Sequence, residues 1–246
     1  MEGREIVDNS QRSVWAKEKT VATSPTAEQL DFLRSIDSPT IANAIEPFKV
    51  RDRAEGYIGG SVRAMFPELG VMLGYALTVT MTNRFGPPPG RAGWWRMWEE
   101  LEKLPRPSVV VVQDVSGAPT RCAYFGEVMA TVAKRLGAVG IVSDGGVRDL
   151  PEVRAMGLHY FAPYAVASHG NFEIVDVGGR IRLDGQEIRT GDLLHGDLNG
   201  IVIVPTELVK DLPAEVEKIR TREAGFLKYI NSPEFNLDDY KGMVGY

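Results

Sequence analysis

The spacing of apolar residues changes along the chain, and each change marks an element. After Pro25-Thr26-Ala27-Glu28, the residues Leu30, Leu33 and Ile36 recur at helical spacing and predict a short helix. A second short helix follows Ser38-Pro39, with Pro39 in its first turn and Ile41 and Ile45 facing inward. Residues 77–82 alternate apolar side chains with threonine, the period of a half-buried strand. Phe85-Gly86-Pro87-Pro88-Pro89-Gly90 then fits neither a helix nor a central strand and reads as a loop. Trp94, Trp95, Met97, Trp98 and Leu101 crowd the helix after it. These tryptophans read as core or interface anchors, with the wall of a ligand pocket as the functional alternative.

In the middle of the chain strand and helix patterns alternate. Residues 108–113 form a continuous apolar run, the text of a buried strand, and 116–119 a loop. A helix over 127–136 places Val128, Val132 and Leu136 inward and closes at Gly137. A buried strand over 138–143, a turn at Gly145-Gly146, a helix over 149–156 ended by Gly157 and a third short strand over 161–166 complete the series. That order predicts an α/β unit with parallel strands. Beyond it the text turns to β: strands over 172–177, 181–183, 186–188 and 201–204, with Asp184-Gly185 as a hairpin turn. Residues 190–193 and Gly196-Asp197 read as tight turns. Residues 207–230 read as an amphipathic helix, or a pair interrupted by Pro213, followed by a polar tail after Pro233. The chain thus divides into an N-terminal arm (1–26), a core (27–206) and a C-terminal helical segment and tail (207–246).

Composition narrows the chemistry. The 246 residues contain one cysteine, Cys122, and three histidines, His159, His169 and His195. Such a chain forms no internal disulfide, Cys-rich zinc site or iron–sulfur cluster. A divalent ion here would sit on carboxylates and water, as Mg²⁺ or Mn²⁺ do. The formal charge of −5 gives no electrostatic footprint for nucleic acid. The polar start has no signal-peptide order, and the longest apolar runs are too short to span a bilayer, so the expected setting is the cytoplasm, away from membranes.

Two carboxylates and an arginine fall at turns after buried strands. Glu127 opens one helix, and Arg148 and Asp149 open the next. Ligands of open α/β sheets bind at the carboxyl ends of strands, where helix N-termini present free N–H groups. The amides of Val128 and Met129 suit a small carboxylate, and Arg148 adds a bidentate grip on the same anion. Asp149 is placed to bind a metal facing that anion, and Glu152, one turn on, to hold a metal-bound water. On spacing alone the plainer alternative is favoured: first-turn acids simply suit the helix dipole, and Arg148 pairs with Asp144.

The stretch Ala138-Val139-Gly140-Ile141-Val142-Ser143-Asp144-Gly145-Gly146-Val147-Arg148-Asp149 resembles the signature of the family that holds the RraA-like proteins and the 4-hydroxy-4-methyl-2-oxoglutarate aldolases. The family's motif is an acid, twenty residues, then Arg-Asp, with another acid three positions on; here these are Glu127, Arg148-Asp149 and Glu152. Residues 190–193 and 197–205 are similar to its second signature, and residues 74–80 to its early strand. The likeness spans about residues 28–230. It implies a swivelling β/β/α domain in the α/β class, with residues 27–206 as the RraA-like catalytic core, assembled as a homotrimer or a hexamer with the site between subunits. It implies a metal-dependent lyase that takes a small 2-oxo acid and releases pyruvate, by retro-aldol cleavage or oxaloacetate decarboxylation through a metal-stabilised pyruvate enolate. Carried over residue by residue, Asp149 is the direct ligand of Mg²⁺ or Mn²⁺, while Glu127 and Glu152 hold metal-bound waters. Arg148 contacts the substrate's carboxylate and keto oxygen, and the amides of Val128 and Met129 seat the carboxylate. Glu223, from a neighbouring subunit, is the match for a further acid near the metal.

Many relatives carry Asp where this chain has Glu127. The Trp94–Trp98 region and residues 160–170 follow no pattern of the family, and they are expected on the leaving-group side of the substrate. His169 reads as a surface or interface residue, or else as a contact to that part of the substrate. His159 and His195 read as structural, Cys122 as a small buried residue and Lys134 as a solvated one. The rival to a lyase is a non-enzymatic RraA-like regulator that binds a ribonuclease, and the intact Arg148-Asp149 with Glu152 argues against it. A related hydrolase or lyase acting on another acid is the third reading. A methyltransferase is not supported, because no glycine-rich nucleotide loop follows a first strand.

Overall fold

Thr26 opens helix α1 (Ala27–Arg34) with a capping box: its hydroxyl accepts from the Gln29 amide, and the Gln29 side chain accepts from the Thr26 amide. In the computed structural model residues 24–118 and 121–244 are described; most of the expected arm, and Pro119 of the expected 116–119 loop, lie outside them. Helix α2 (Ser38–Ile45) starts at Asp37, whose carboxylate caps the Thr40 amide, and buries Ile41 and Ile45 as expected.

Strands β1 (Tyr57–Ile58) and β2 (Arg63–Ala64) precede the long β3 (Met72–Asn83). Helix α3 (Ala92–Lys103) leads to β4 (Ser108–Asp114) and β5 (Ala123–Phe125), then α4 (Glu127–Arg135) and β6 (Ala138–Ser143). Next come β7 (Gly146–Val147), α5 (Leu150–Ala155), β8 (His159–Ala162) and β9 (Phe172–Val177). The hairpin β10 (Ile181–Leu183) and β11 (Gln186–Ile188) is followed by β12 (Leu193–Asp197), β13 (Gly200–Val204), α6 (Leu212–Ile230) and α7 (Leu237–Val244).

The main sheet runs β1-β13-β12-β3-β4-β6-β8-β2, with β9 also paired to β3. Its centre, β3-β4-β6-β8, is parallel, and the flanking pairs are antiparallel. One face carries the helices. Leu73, Tyr75, Leu193 and Val204 meet α1, α2 and α6, while Leu77, Val110 and Ile141 meet α3, α4 and α5. The other face, with Ala76, Val109, Val111 and Val142, is covered by Ile181, Leu183 and Ile188 of the small hairpin. Hairpin, sheet and helices make the β/β/α layering of the expected α/β class.

Several elements differ from their sequence patterns for identifiable reasons. The alternation of residues 77–82 suggests a half-buried strand, but Thr78 is fully buried, because the second layer covers that face and its hydroxyl binds Gly179 O and Thr190. Residues 193–197, expected in part as turns, form the central strand β12; His195 and Asp197 break the apolar pattern yet are buried with partners. His195 Nε2 donates to Leu33 O and Ile36 O, and Asp197 accepts from the Ser38 amide and hydroxyl. Pro213 does not interrupt a helix; it sits in the first turn of α6, where its missing N–H costs nothing. The strand expected over 161–166 lies at His159–Ala162, and Gly146 belongs to β7 rather than to a plain turn. Helix α4 is turned about its axis: Met129, Ala130 and Ala133 face the sheet, Val132 and Leu136 are only half-buried, and Val128 is 75% exposed. The two alanines let the helix backbone lie close to the strands, which the larger residues would prevent.

Candidate active site

The site is built where the parallel strands end. After β6 the chain forms β7, which pairs in parallel with β5 away from the main sheet. This two-stranded ribbon brings the start of α4 beside the start of α5. The Arg148 amide donates to Phe125 O at 2.9 Å and locks the two turns together.

Asp149 adopts a left-handed backbone with φ of 58°. A non-glycine residue there costs roughly 1 kcal/mol or more, although Asp tolerates it better than most. That geometry turns its carboxylate away from its own helix: it makes no cap to α5. Instead Oδ2 accepts from the Glu127 amide at 2.8 Å, the first amide of α4. Arg148 Nε lies 3.5 Å from the same oxygen. Gly126, between β5 and α4, is what permits this approach, since a Cβ there would come within 2.5 Å of Asp149 Oδ2 and 2.7 Å of Arg148 Nε. Gly126 gives α4 no side-chain cap, so the amides of Val128 and Met129 are left for a ligand or solvent.

Of the residues singled out from the sequence, Glu127, Val128, Met129, Arg148 and Asp149 thus come together. Arg148 and Asp149 are about one-third exposed. Glu152 is exposed one turn into α5, and Glu223 is exposed on α6, which packs against α2. Arg148 forms no pair with Asp144; its nearest acid is Asp149. Among the described residues, no group of three or more His, Cys, Asp or Glu side chains is close enough to hold a metal ion. The Tyr160 hydroxyl on β8 is buried without a hydrogen-bond partner. Burial raises its pKa above the ordinary phenol value, and the Asp149 charge adds to the rise.

A cleft of about 340 Å³ opens beside this cluster. Gly126, Val128, Met129 and Arg148 line one end. The other end is walled by Trp94, Tyr124, Phe172 and His169, with Pro88, Pro89 and Arg91 from the loop after β3. That far wall had only partial signals in the sequence. The tryptophan cluster and His169 carry that reading as alternatives, whereas Phe172 has the text of an ordinary strand residue and Tyr124 lies in a stretch with no pattern of its own. Burial and the neighbouring Asp114 raise the Tyr124 phenol above its ordinary range, so it stays neutral. Cys122 is buried, gives its thiol to His169 O at 3.0 Å and has its pKa pushed up to about 12 by burial.

The family model described as RraA-like: Aldolase/RraA matches residues 37–203, more than half of the chain. This chain belongs to the RraA-like family. A protein of Halalkalibacterium halodurans, provisionally named a 4-hydroxy-4-methyl-2-oxoglutarate aldolase, is 34% identical over 100 residues, 40% of this chain and 47% of that protein. A Laribacter hongkongensis protein with the same provisional name is 33% identical over 45% of this chain and 69% of its own length. The chain spans about half the length of the first of these relatives. Among solved RraA-like folds, Streptomyces coelicolor RraAS2, described as an unusual member of the RNase ES inhibitor RraA family, aligns with a TM-score of 0.66 over 83% of this chain and 99% of that one, at 22% identity. An uncharacterised Pseudomonas syringae protein aligns with a TM-score of 0.68 over 91% and 96% of the two chains, at 21% identity. These two likenesses concern the fold. No helix of the described residues is long and apolar enough to cross a membrane.

Proposed function

We propose that this RraA-like chain is a divalent-metal-dependent carbon–carbon lyase that cleaves a 2-oxo acid and releases pyruvate, by retro-aldol cleavage or by decarboxylation of oxaloacetate. One observation carries the reading: Asp149, in a strained backbone, is held by the first amide of α4 with Arg148 beside it, at the end of a cleft lined by Val128 and Met129. The names of the Halalkalibacterium and Laribacter relatives support it.

The residues fit the metal that the family implies. Asp149 Oδ1 has no hydrogen-bond partner among the described residues and is left available to a ligand. One carboxylate with waters is a donor set that suits Mg²⁺ or Mn²⁺, which keep much of their hydration. Asp149 would hold the ion directly, Glu127 and Glu152 of the same chain would act through waters, and Glu223 of a neighbouring copy would stand near the ion. When bound, the ion supplies Lewis-acid polarisation of the keto group and water of lowered pKa.

The chain's own residues do the rest. The amides of Val128 and Met129, at the positive end of α4, bind the substrate carboxylate. Arg148 grips that carboxylate and the keto oxygen. As the carbon–carbon bond breaks, its electron pair moves into the pyruvyl unit, and negative charge grows on the keto oxygen. Arg148 stabilises that charge, and loss of such a preorganised contact costs about 3 kcal/mol of barrier. The other fragment leaves as a carbonyl compound or carbon dioxide, and a proton returns to the pyruvyl carbon.

The test is to strip the protein of metal and measure pyruvate release from oxaloacetate and from 4-hydroxy-4-methyl-2-oxoglutarate, with and without Mg²⁺ or Mn²⁺. Release restored by the ion is expected. No release from either substrate under any metal condition overturns the lyase reading for those two substrates.

A further inference from the structure

The cleft is larger than a pyruvyl unit and changes character along its length. Near Arg148 it offers charge and free amides. Beyond Met129 it is walled by rings. Trp94 and Phe172 are stacked, with centroids 5.1 Å apart and an interplanar angle of 15°. Tyr124 meets Phe172 edge-on at 6.1 Å and 78°, and His169 does so at 6.3 Å and 83°.

These rings are held before any ligand arrives. Tyr124 is fully buried and Phe172 nearly so. Asn171 donates its amide to Asn83 Oδ1 at 2.9 Å and its side-chain N–H to Gly86 O at 2.8 Å, which ties the proline loop to the start of β9. His169 Nδ1 donates to Gly170 O at 2.6 Å, which fixes the ring's orientation. Arg91 spans the Trp94 ring, 5.8 Å from its centroid, so its charge is already engaged on a ring face. Among the described residues no acidic side chain lines the cleft, and its cations are Arg148 and Arg91. A preorganised wall of aromatic side chains suits a planar apolar group, because little conformational freedom is lost when such a group packs against it.

We propose that the cleft beside Arg148 binds an aromatic ring, so that the substrate is a 2-oxo acid whose leaving carbonyl fragment carries an aryl group. This rests on the lyase reading and deepens it. The pyruvyl carboxylate lies at Val128 and Met129, and the ring lies against Trp94 and Phe172. In retro-aldol cleavage of a 4-aryl-4-hydroxy-2-oxobutanoate, the C3–C4 bond breaks, its electron pair goes to the pyruvyl unit, and the hydroxyl loses its proton. An aryl aldehyde leaves, and the pyruvyl carbon takes up a proton to give pyruvate. Atoms and charge balance without a redox partner.

Two measurements on the full chain with Mg²⁺ test this. The first compares kcat/KM for 4-hydroxy-2-oxo-4-phenylbutanoate with the values for oxaloacetate and 4-hydroxy-4-methyl-2-oxoglutarate. A preference of tenfold or more for the aryl compound is expected. Trp94→Ala should shrink that ratio by tenfold or more, Trp94→Phe should retain most of it, and Trp95→Ala, on the same helix but 60% exposed, should leave it unchanged. The second follows tryptophan fluorescence while titrating phenylpyruvate and pyruvate. Phenylpyruvate should bind at least tenfold more tightly, even in a protein that cleaves nothing. Equal binding of the two acids overturns the aryl proposal whatever the activity. Pyruvate release from the two dicarboxylates but not from the aryl compound overturns it too, and leaves the lyase reading standing.

Discussion

At the scale of single residues, the site turns on two neighbours in space, Gly126 and Asp149. Gly126 has no Cβ to displace the carboxylate, and Asp149 accepts a left-handed backbone to reach across to α4. Asparagine tolerates the same backbone, and its side-chain oxygen can still accept the Glu127 amide. What it lacks is the charge an ion needs. Asp149→Asn is therefore expected to fold with a Tm within about 2 °C of the parent and to lose pyruvate release by about a hundredfold or more. Thermal melts and a coupled pyruvate assay check both halves. Retained activity removes Asp149 as the ion's ligand; a large drop in Tm instead makes it a structural cap. The Arg148-Asp149 pair was legible from its place after a buried strand. The left-handed turn was not, because Asp at a helix start ordinarily caps its own helix, and nothing in the local text says that it reaches another.

At the scale of elements, legibility followed the side chains that face the layers. The helix starts at Pro25-Thr26 and Ser38-Pro39 and the hairpin at Asp184-Gly185 act locally and are legible in the text alone, whereas the Asp37 cap is not. Strand β12 depends on partners far along the chain: His195 Nε2 and the Asp197 carboxylate are accommodated inside because α1, α2 and the turn between them supply two carbonyls, an amide and a hydroxyl. The spacing of Val128, Val132 and Leu136 points to a different face of α4 from the one that packs, because Ala130 and Ala133 let the helix backbone lie close to the sheet.

The joint between β4 and β6 carries a consequence for pH. Asp144 follows β6, and its Oδ1 accepts the Asp114 amide at 2.6 Å. Burial is the main cause that raises its pKa from 3.8 to about 6, and the Asp114 charge adds to it. The folded chain thus binds this proton more tightly than the unfolded chain. Folding takes up a proton between pH 4 and 6, so stability falls as pH rises through that window and levels off above it. The loss is about 1–2 kcal/mol once partial exposure is allowed for. Asp144→Asn keeps the acceptor and removes the charge. Its Tm advantage over the parent should grow from pH 4.5 to pH 7.5, as read by melts at several pH values. An advantage that does not change with pH contradicts the buried-charge account.

At the scale of the whole molecule, the helical face of the sheet has two ends with different duties. Helices α1, α2 and α6 pack over β12, β13 and the first half of β3, whereas α3, α4 and α5 pack over the second half of β3 with β4 and β6. Asp149 belongs to the second group and Glu223 to the first. If Glu223 serves the metal site, as the family resemblance implies, it serves the site of another copy. That arrangement has a signature which no single-chain site can imitate. Chains carrying Asp149→Asn and chains carrying Glu223→Gln should each release pyruvate poorly. When the two are unfolded together and refolded as a mixture, some sites combine an intact Asp149 from one copy with an intact Glu223 from another. Activity should then rise well above that of either variant refolded alone. A mixture no more active than the average of its parts shows that Glu223 has no such role, and leaves the lyase chemistry resting on Glu127, Arg148, Asp149 and Glu152 of a single chain.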